Sequence, residues 1–331
     1  MPNLTHSLKI GNIVLPHRVL LAPMSGITDL PFRKLAYEAG ASLVTSEMVA
    51  SKELCGFKLE SEMRSNCSSL PYSSVQLIGR DPYYMSEAAK KIEAQGASVI
   101  DINMGCPAKK IISGACGAAL MQDLPLAFSI IEAVVKSINI PVTLKMRLAW
   151  DGENNASAIH LAKYAEQLGI QMVTIHARTR QQFYNGKANW ARVKEIKEKL
   201  NIPLIINGDI ICTKSALEAI RKSGADGVMV GRACYGSPWV AGDIVAELSD
   251  DNKKRQPSNL AEYILHHYDL MLFHYSTELG VRNARKHLVA YLKNNKCCYN
   301  ALERNMLLTA CLLYTSPSPR DATLSRMPSS A

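Results

Sequence analysis

Short runs of aliphatic and β-branched residues recur along the chain: Val19–Ala22, Leu43–Ser46, Ser74–Leu77, Val99–Asn103, Val142–Lys145, Val173–His176, Leu204–Asn207 and Val228–Gly231. Between them, apolar residues return at helical spacing, which predicts amphipathic helices linking short buried strands. The joints repeat too. Gly40-Ala41, Gly96-Ala97, Gly169-Ile170 and Gly224-Ala225 each put a helix-ending glycine just before a strand. Ile140-Pro141 and Ile202-Pro203 end other helices with proline. Eight such units predict an α/β fold, a (β/α)8 TIM barrel over residues 1–249. An open doubly wound sheet gives the same alternation, but Pro23-Met24-Ser25-Gly26 after the first strand is not a glycine-rich dinucleotide loop.

The pattern changes after the barrel. Residues 250–257 form a polar linker, Ser258 has the chemistry of an N-cap, and Leu260, Ile264, Leu265, Met271 and Leu272 recur at helical spacing. A second helix is expected over about Val281–Leu292, completing a small all-helical domain at 258–311. Residues 312–331 are rich in Ser and Pro with no apolar period, so they read as a disordered, non-native tail of translated adaptor or vector sequence, with a native disordered tail as the alternative.

Composition adds constraints. With 331 residues and 47% hydrophobic content the chain can bury one barrel-sized core and a small second domain. Nine cysteines without C-x-x-C spacing argue against a disulfide framework and against a metal site, and favour a reduced cytoplasm. Met1–Leu21 carries no uninterrupted apolar segment for a signal peptide, and no later stretch reaches membrane-spanning length. The 38 basic residues exceed the 29 acidic ones by nine. The excess is concentrated: Arg282, Arg285, Lys286, Lys293, Lys296 and Arg304 face only Glu303 in that stretch, a candidate footprint for RNA. Charge alone leaves an ordinary solvated helix face as the alternative.

Polar side chains cluster at the predicted strand ends. Met24, Glu47, Gln76, Asn103, Lys145, His176, Asn207 and Gly231-Arg232 each stand at or just past the C-terminal end of a different strand, the face on which barrels build active sites. Asn103-Met104-Gly105-Cys106-Pro107 puts a thiol on a tight turn there, ahead of a Gly- and Ala-rich segment from Lys109 to Leu120 suited to a mobile lid. Period-two geometry sends Lys145 and Arg147 to one side, and His176 and Arg178 form a second cationic pair. With Glu47 and Asp209 the few acids nearby, an unneutralised positive site for an anion or an electron-rich ring is expected. Asn207-Gly208-Asp209 and Gly231-Arg232, after the last two strands, are where barrels commonly seat a phosphate.

Ala22-Pro23-Met24-Ser25-Gly26-Ile27-Thr28-Asp29, Asp101-Ile102-Asn103-Met104-Gly105-Cys106-Pro107, Lys145-Met146-Arg147, His176-Ala177-Arg178-Thr179-Arg180, Asn207-Gly208-Asp209-Ile210 and Gly231-Arg232-Ala233 together resemble the bacterial tRNA-dihydrouridine synthases, most closely the B-type subfamily. The resemblance runs from about Ile10 to about Leu308. It implies an FMN enzyme, reduced by NADPH (or NADH), that is a cytoplasmic monomer acting on tRNA. It further implies that Pro23, Met24 and Ser25 line the flavin, that Gln76 and Lys145 bond its pyrimidine edge, and that Asn207, Gly208, Asp209, Gly231 and Arg232 hold its phosphate. By the same resemblance Cys106 is the proton donor, His176 lies near flavin and substrate, and Asn103, Arg147 and Arg178 hold the uracil. Arg282, Arg285 and Lys286 fall on the helix that resembles the family's tRNA-contacting one. Two departures stand out: Ala149 where the family usually has glycine, and a helical domain that stops at about Cys311, short of the family's final helix. An FMN barrel of the dihydroorotate-dehydrogenase type is the competing enzyme reading, set apart by the basic C-terminal domain. A non-catalytic RNA-binding barrel would be colourless on purification.

Overall fold

The computed structural model describes residues 3–152, 154–249, 251 and 255–295. The expected tail at 312–331, the expected end of the helical domain, Lys296, Arg304 and half of the linker fall outside them. The described chain divides into two units, Met1–Cys234 with Pro238–Arg255, and Tyr235–Ser237 with the chain from Gln256 on.

In the first unit β1 (Leu8–Ile10) and β2 (Ile13–Leu15) form an antiparallel pair. Eight parallel strands follow: β3 (Val19–Leu21), β4 (Val44–Ala50), β5 (Ser73–Ile78), β6 (Val99–Met104), β7 (Val142–Ala149), β8 (Met172–Thr179), β9 (Leu204–Asn207) and β10 (Gly227–Val230). They close in chain order, with β10 pairing to both β9 and β3. The TIM barrel expected from the alternation is therefore the fold, although β4, β7 and β8 run several residues past their apolar cores.

Alternation along each strand decides what lies inside. Val19, Leu21, Val75, Leu77, Ile100, Ile102, Leu144, Met146, Val173 and Ile175 face outward into one apolar cluster with the helices. The opposite face starts apolar: Leu20, Leu43, Val99, Met172, Ile205 and Met229 pack with Leu8, Ile10 and Leu15 of the hairpin, which plugs the N-terminal end of the barrel. Two residues further along, the same inward face carries Gln76, Asp101, Thr143 and Thr174, then Asn103, Lys145, His176 and Asn207. The interior thus passes from a dry floor to a polar mouth.

The second unit contains the helices Leu260–Tyr275 and Thr277–Asn294. Asn259, and not Ser258, caps the first, its side chain accepting from the amides of Ala261 and Glu262. His267, Met271, Val281, Ala284, His287 and Tyr291 are buried between the helices, with His267 Nδ1 3.0 Å from the Tyr291 hydroxyl. Arg282, Arg285 and Lys286 lie at i, i+3 and i+4 on the second helix, so they share a face.

Candidate active site

The turn after β6 is built around Asn103. Its Oδ1 accepts from the amides of Gly105 (3.0 Å) and Cys106 (2.9 Å), and Arg147 Nε holds the Gly105 carbonyl at 2.9 Å. The expected lid is folded back on this turn as a short helix, Lys109–Ser113, and a 3-10 turn, Gly117–Gln122. Gly117 sits at φ +60°, where an added Cβ would lie 2.8 Å from the Cys106 carbonyl oxygen, so only glycine lets the lid close there. Burial pushes the half-buried Cys106 thiol up, against the pull of the Ala108 backbone and the Arg147 and Lys145 cations. A thiol raised in this way keeps its proton at neutral pH, which suits an acid and not a thiolate nucleophile.

Lys145 rises from β7 beside it and donates to Asn207 Oδ1 at 3.1 Å, while Asn207 Nδ2 donates to the Met229 carbonyl. Burial lowers its ammonium to about 8; Asp101 below opposes that shift and Arg147 adds to it. Among the described residues no carboxylate lies within ion-pair distance of Lys145 or Arg147. Here the expected unneutralised positive site is present.

At Arg178 the expectation fails. Both oxygens of Asp209 accept from Arg178 Nη2, at 2.8 and 2.7 Å, and Arg232 pairs with the same carboxylate at 3.0 Å. Arg178 also holds the carbonyls of Asn185 (3.2 Å) and Gly186 (2.8 Å), and its side chain is 2% exposed. It staples the loop after β8, with Asp209 as its counter-charge. Asp209, expected among the phosphate-holding residues, is the counter-charge of two arginines. Arg147 is clamped in the same manner to the carbonyls of Gly105, Thr179 and Phe183, but its second terminal nitrogen has no partner among the described residues.

His176 is surrounded by cations. Burial first, then Lys145, Arg147, Arg178 and Arg232, hold its imidazole well below the ordinary histidine range, so the ring is neutral. Arg178 Nη1 lies 3.3 Å from Nε2 and can only donate, which places the ring proton on Nδ1. Gly208, at φ +114°, passes so close that a Cβ would meet His176 Cδ2 at 3.0 Å. A Cβ on Gly231 would instead stand 3.6–4.0 Å from Ala22, Met24 and Asn207, so the ends of β3, β9 and β10 converge around open backbone.

Two residues that the sequence pattern did not single out complete the mouth. Tyr184, 47% exposed, has the guanidinium of Arg147 at 5.6 Å and that of Arg232 at 5.5 Å from its ring centre, with Phe183 edge-on at 4.7 Å. Their signal is two adjacent aromatics, the second eight residues beyond His176, next to Asn185-Gly186. Arg282, Arg285 and Lys286 belong to the helical unit.

Residues 20–309 match the family model described as dihydrouridine synthase. The chain belongs to the dihydrouridine synthase family. It is 47% identical over 294 residues to a probable tRNA-dihydrouridine synthase of Rhizobium leguminosarum bv. phaseoli, covering 89% of this chain and 91% of that one. It is 42% identical over 289 residues to tRNA-dihydrouridine synthase B of Pseudomonas aeruginosa, covering 86% of each. Among solved structures, an old yellow enzyme homologue from Zymomonas mobilis superposes with a TM-score of 0.55 at 15% identity, over 77% of this chain and 94% of that one. At that identity the likeness supports the barrel fold, and it is the family's sequence match that bears on this site.

Proposed function

We propose that this family member is an FMN-dependent tRNA-dihydrouridine synthase, a cytoplasmic monomer that reduces the C5–C6 double bond of a uridine in tRNA with NADPH or NADH as reductant. The observation that carries the reading is the Cys106 thiol, protonated and held on a clamped turn beside the unneutralised Lys145 and Arg147.

The donor set fits FMN. Lys145 has ammonium hydrogens left over after its bond to Asn207, facing a cavity mouth that wants an electron-rich ring. Pro23, Met24 and Ser25 after β3, with Gln76 and Lys145, line and bond the ring system. Asn207, Gly208, Gly231 and Arg232 hold the phosphate, Arg232 at the rim with its side chain 59% exposed. When bound, FMN supplies the hydride delivered to C6 of the uracil. Cys106 gives the proton to C5, and the thiolate it leaves recovers a proton from solvent. Asn103 and the open nitrogen of Arg147 orient the uracil carbonyls, neutral His176 offers its Nδ1 proton, and Tyr184 provides a ring face for a base that has left its stack. Arg282, Arg285 and Lys286 on the helical unit take tRNA phosphates.

The test is direct. Heat release from the purified protein yields FMN, and incubation with NADPH and an unmodified tRNA transcript yields dihydrouridine. FAD in the extract, or no dihydrouridine from a flavin-loaded enzyme, refutes the proposal.

A further inference from the structure

A chain of side-chain amides runs from the barrel interior to the Cys106 turn. Asp101, 3% exposed on β6, accepts from Thr143 Oγ1 through Oδ1 and from Gln76 Nε2 through Oδ2, each at 2.6 Å. Gln76 Oε1 in turn accepts from Asn103 Nδ2 at 2.8 Å. Asn103 Oδ1 then takes the amides of Gly105 and Cys106. Ser46 Oγ accepts the Gln76 backbone amide at 3.0 Å and pins that strand.

A carboxamide has nearly the same shape either way round, so its partners set its orientation. Here both ends of the chain are one-way: a carboxylate oxygen accepts, and a backbone N–H donates. Reversing Gln76 would put Oε1 against Asp101 Oδ2 and Nε2 against Asn103 Nδ2. Reversing Asn103 would put an NH2 group against two backbone amides. Only one arrangement makes every link a donor–acceptor pair.

We propose that Asp101 is a positioning residue: as the accepting terminus of this chain it fixes the orientation of Gln76 and Asn103, and through them holds the backbone turn that carries Cys106. The kinetic part of the inference rests on the reading of Cys106 as proton donor; the structural part does not. Charge on Asp101 is secondary. Burial pushes its carboxyl up, against the bonds from Gln76 and Thr143 and the Lys145 ammonium. A proton on Oδ1 would be accommodated by reversal of the Thr143 hydroxyl, leaving Oδ2 to accept from Gln76 as before.

That reasoning separates two substitutions. In Asp101→Asn the side-chain oxygen can face Gln76 while the new NH2 donates to Thr143, so the chain survives without the charge. In Asp101→Leu no acceptor remains for Gln76 Nε2, and only the bond from Asn103 Nδ2 still holds Gln76 in its orientation. We expect flavin-loaded Asp101→Leu to be reduced by NADPH but reoxidised by tRNA about 10- to 100-fold more slowly, the scale of a small misplacement of a reacting group. Alkylation of Cys106 by iodoacetamide, followed by peptide mass spectrometry, should accelerate about tenfold as Asn103, the acceptor of the two turn amides, loses the brace that Gln76 and Asp101 give it. Asp101→Asn should match the parent in both measurements, turnover being compared well below pH 8, where Lys145 keeps its proton. Parental alkylation and turnover in Asp101→Leu would overturn the proposal, and so would equal impairment of Asp101→Asn, which would assign the effect to charge. If Asp101→Leu does not fold, Gln76→Met cuts the same chain: faster Cys106 alkylation supports the inference and a parental rate defeats it. The alkylation readings stand even if tRNA proves not to be the substrate.

Discussion

Replacing Cys106 with alanine separates the two halves of the proposed reaction. The backbone of residue 106 is held without its sulfur: Asn103 Oδ1 takes its amide, Ala118 N donates to its carbonyl at 3.1 Å, and Arg147 clamps the preceding carbonyl. The variant therefore loses a half-buried thiol and little else, at a cost to stability of about 1 kcal/mol or less. The flavin seat is made by other strands and should fill as before. General acid catalysis is typically worth about 10²–10⁴-fold, or roughly 3–5 kcal/mol of barrier, so the tRNA half-reaction should slow within that range. Because burial raises the thiol, no loss of activity from ionisation of Cys106 should appear as pH rises from 6 to 8 in the parental profile. In anaerobic stopped-flow, bleaching of the flavin by NADPH keeps the parental rate and its recovery on adding tRNA becomes slow. Recovery at the parental rate would refute the assignment, and loss of flavin or of the fold would make Cys106 a structural residue.

Three further outcomes follow from the same geometry. Lys145→Met removes a charged hydrogen bond worth about 1.5–3 kcal/mol, so FMN affinity measured by fluorescence should fall at least about tenfold; the parental enzyme should lose tRNA-dependent turnover as pH rises through about 8, where the Lys145 ammonium gives up its proton, and the variant should lack that limb. Reversing charge at Arg282, Arg285 and Lys286 should lower the salt slope of tRNA binding by about one for each phosphate no longer neutralised, with FMN content intact; an unchanged slope would make this an ordinary solvated face. His17 donates Nε2–H to the Gly40 carbonyl at 2.9 Å and accepts the Val19 amide through Nδ1, and burial lowers it to about 4. Its folded value lies below the unfolded 6.5, so its contribution is complete above pH 6.5 and is lost as pH falls toward 4, by about 2 kcal/mol between pH 7 and 5; urea unfolding at the two pH values, with His17→Gln as the flattened control, measures it.

Periodicity is a local property, and the chain's own pattern determined what depends on it. The βα alternation predicts the barrel and sets Gln76, Asn103, Lys145, His176 and Asn207 at its strand ends, and in the structure they share the inward face. The β1–β2 plug was not anticipated, because three-residue strands are too short to show a period and their burial comes from the floor of the barrel. The cap on the first C-terminal helix fell one residue away, since Ser258 and Asn259 carry equivalent chemistry and only backbone direction chooses between them. Pairing of charges was beyond the sequence. Asp209 lies 31 residues from Arg178, and only the side-by-side pairing of β8, β9 and β10 brings it between Arg178 and Arg232. Asp101 stood in plain view as a carboxylate inside an apolar strand, but its role depends on which way two amides face. That is settled by Gln76 on one neighbouring strand and Thr143 on the other, each an acceptor or donor only once the sheet has formed.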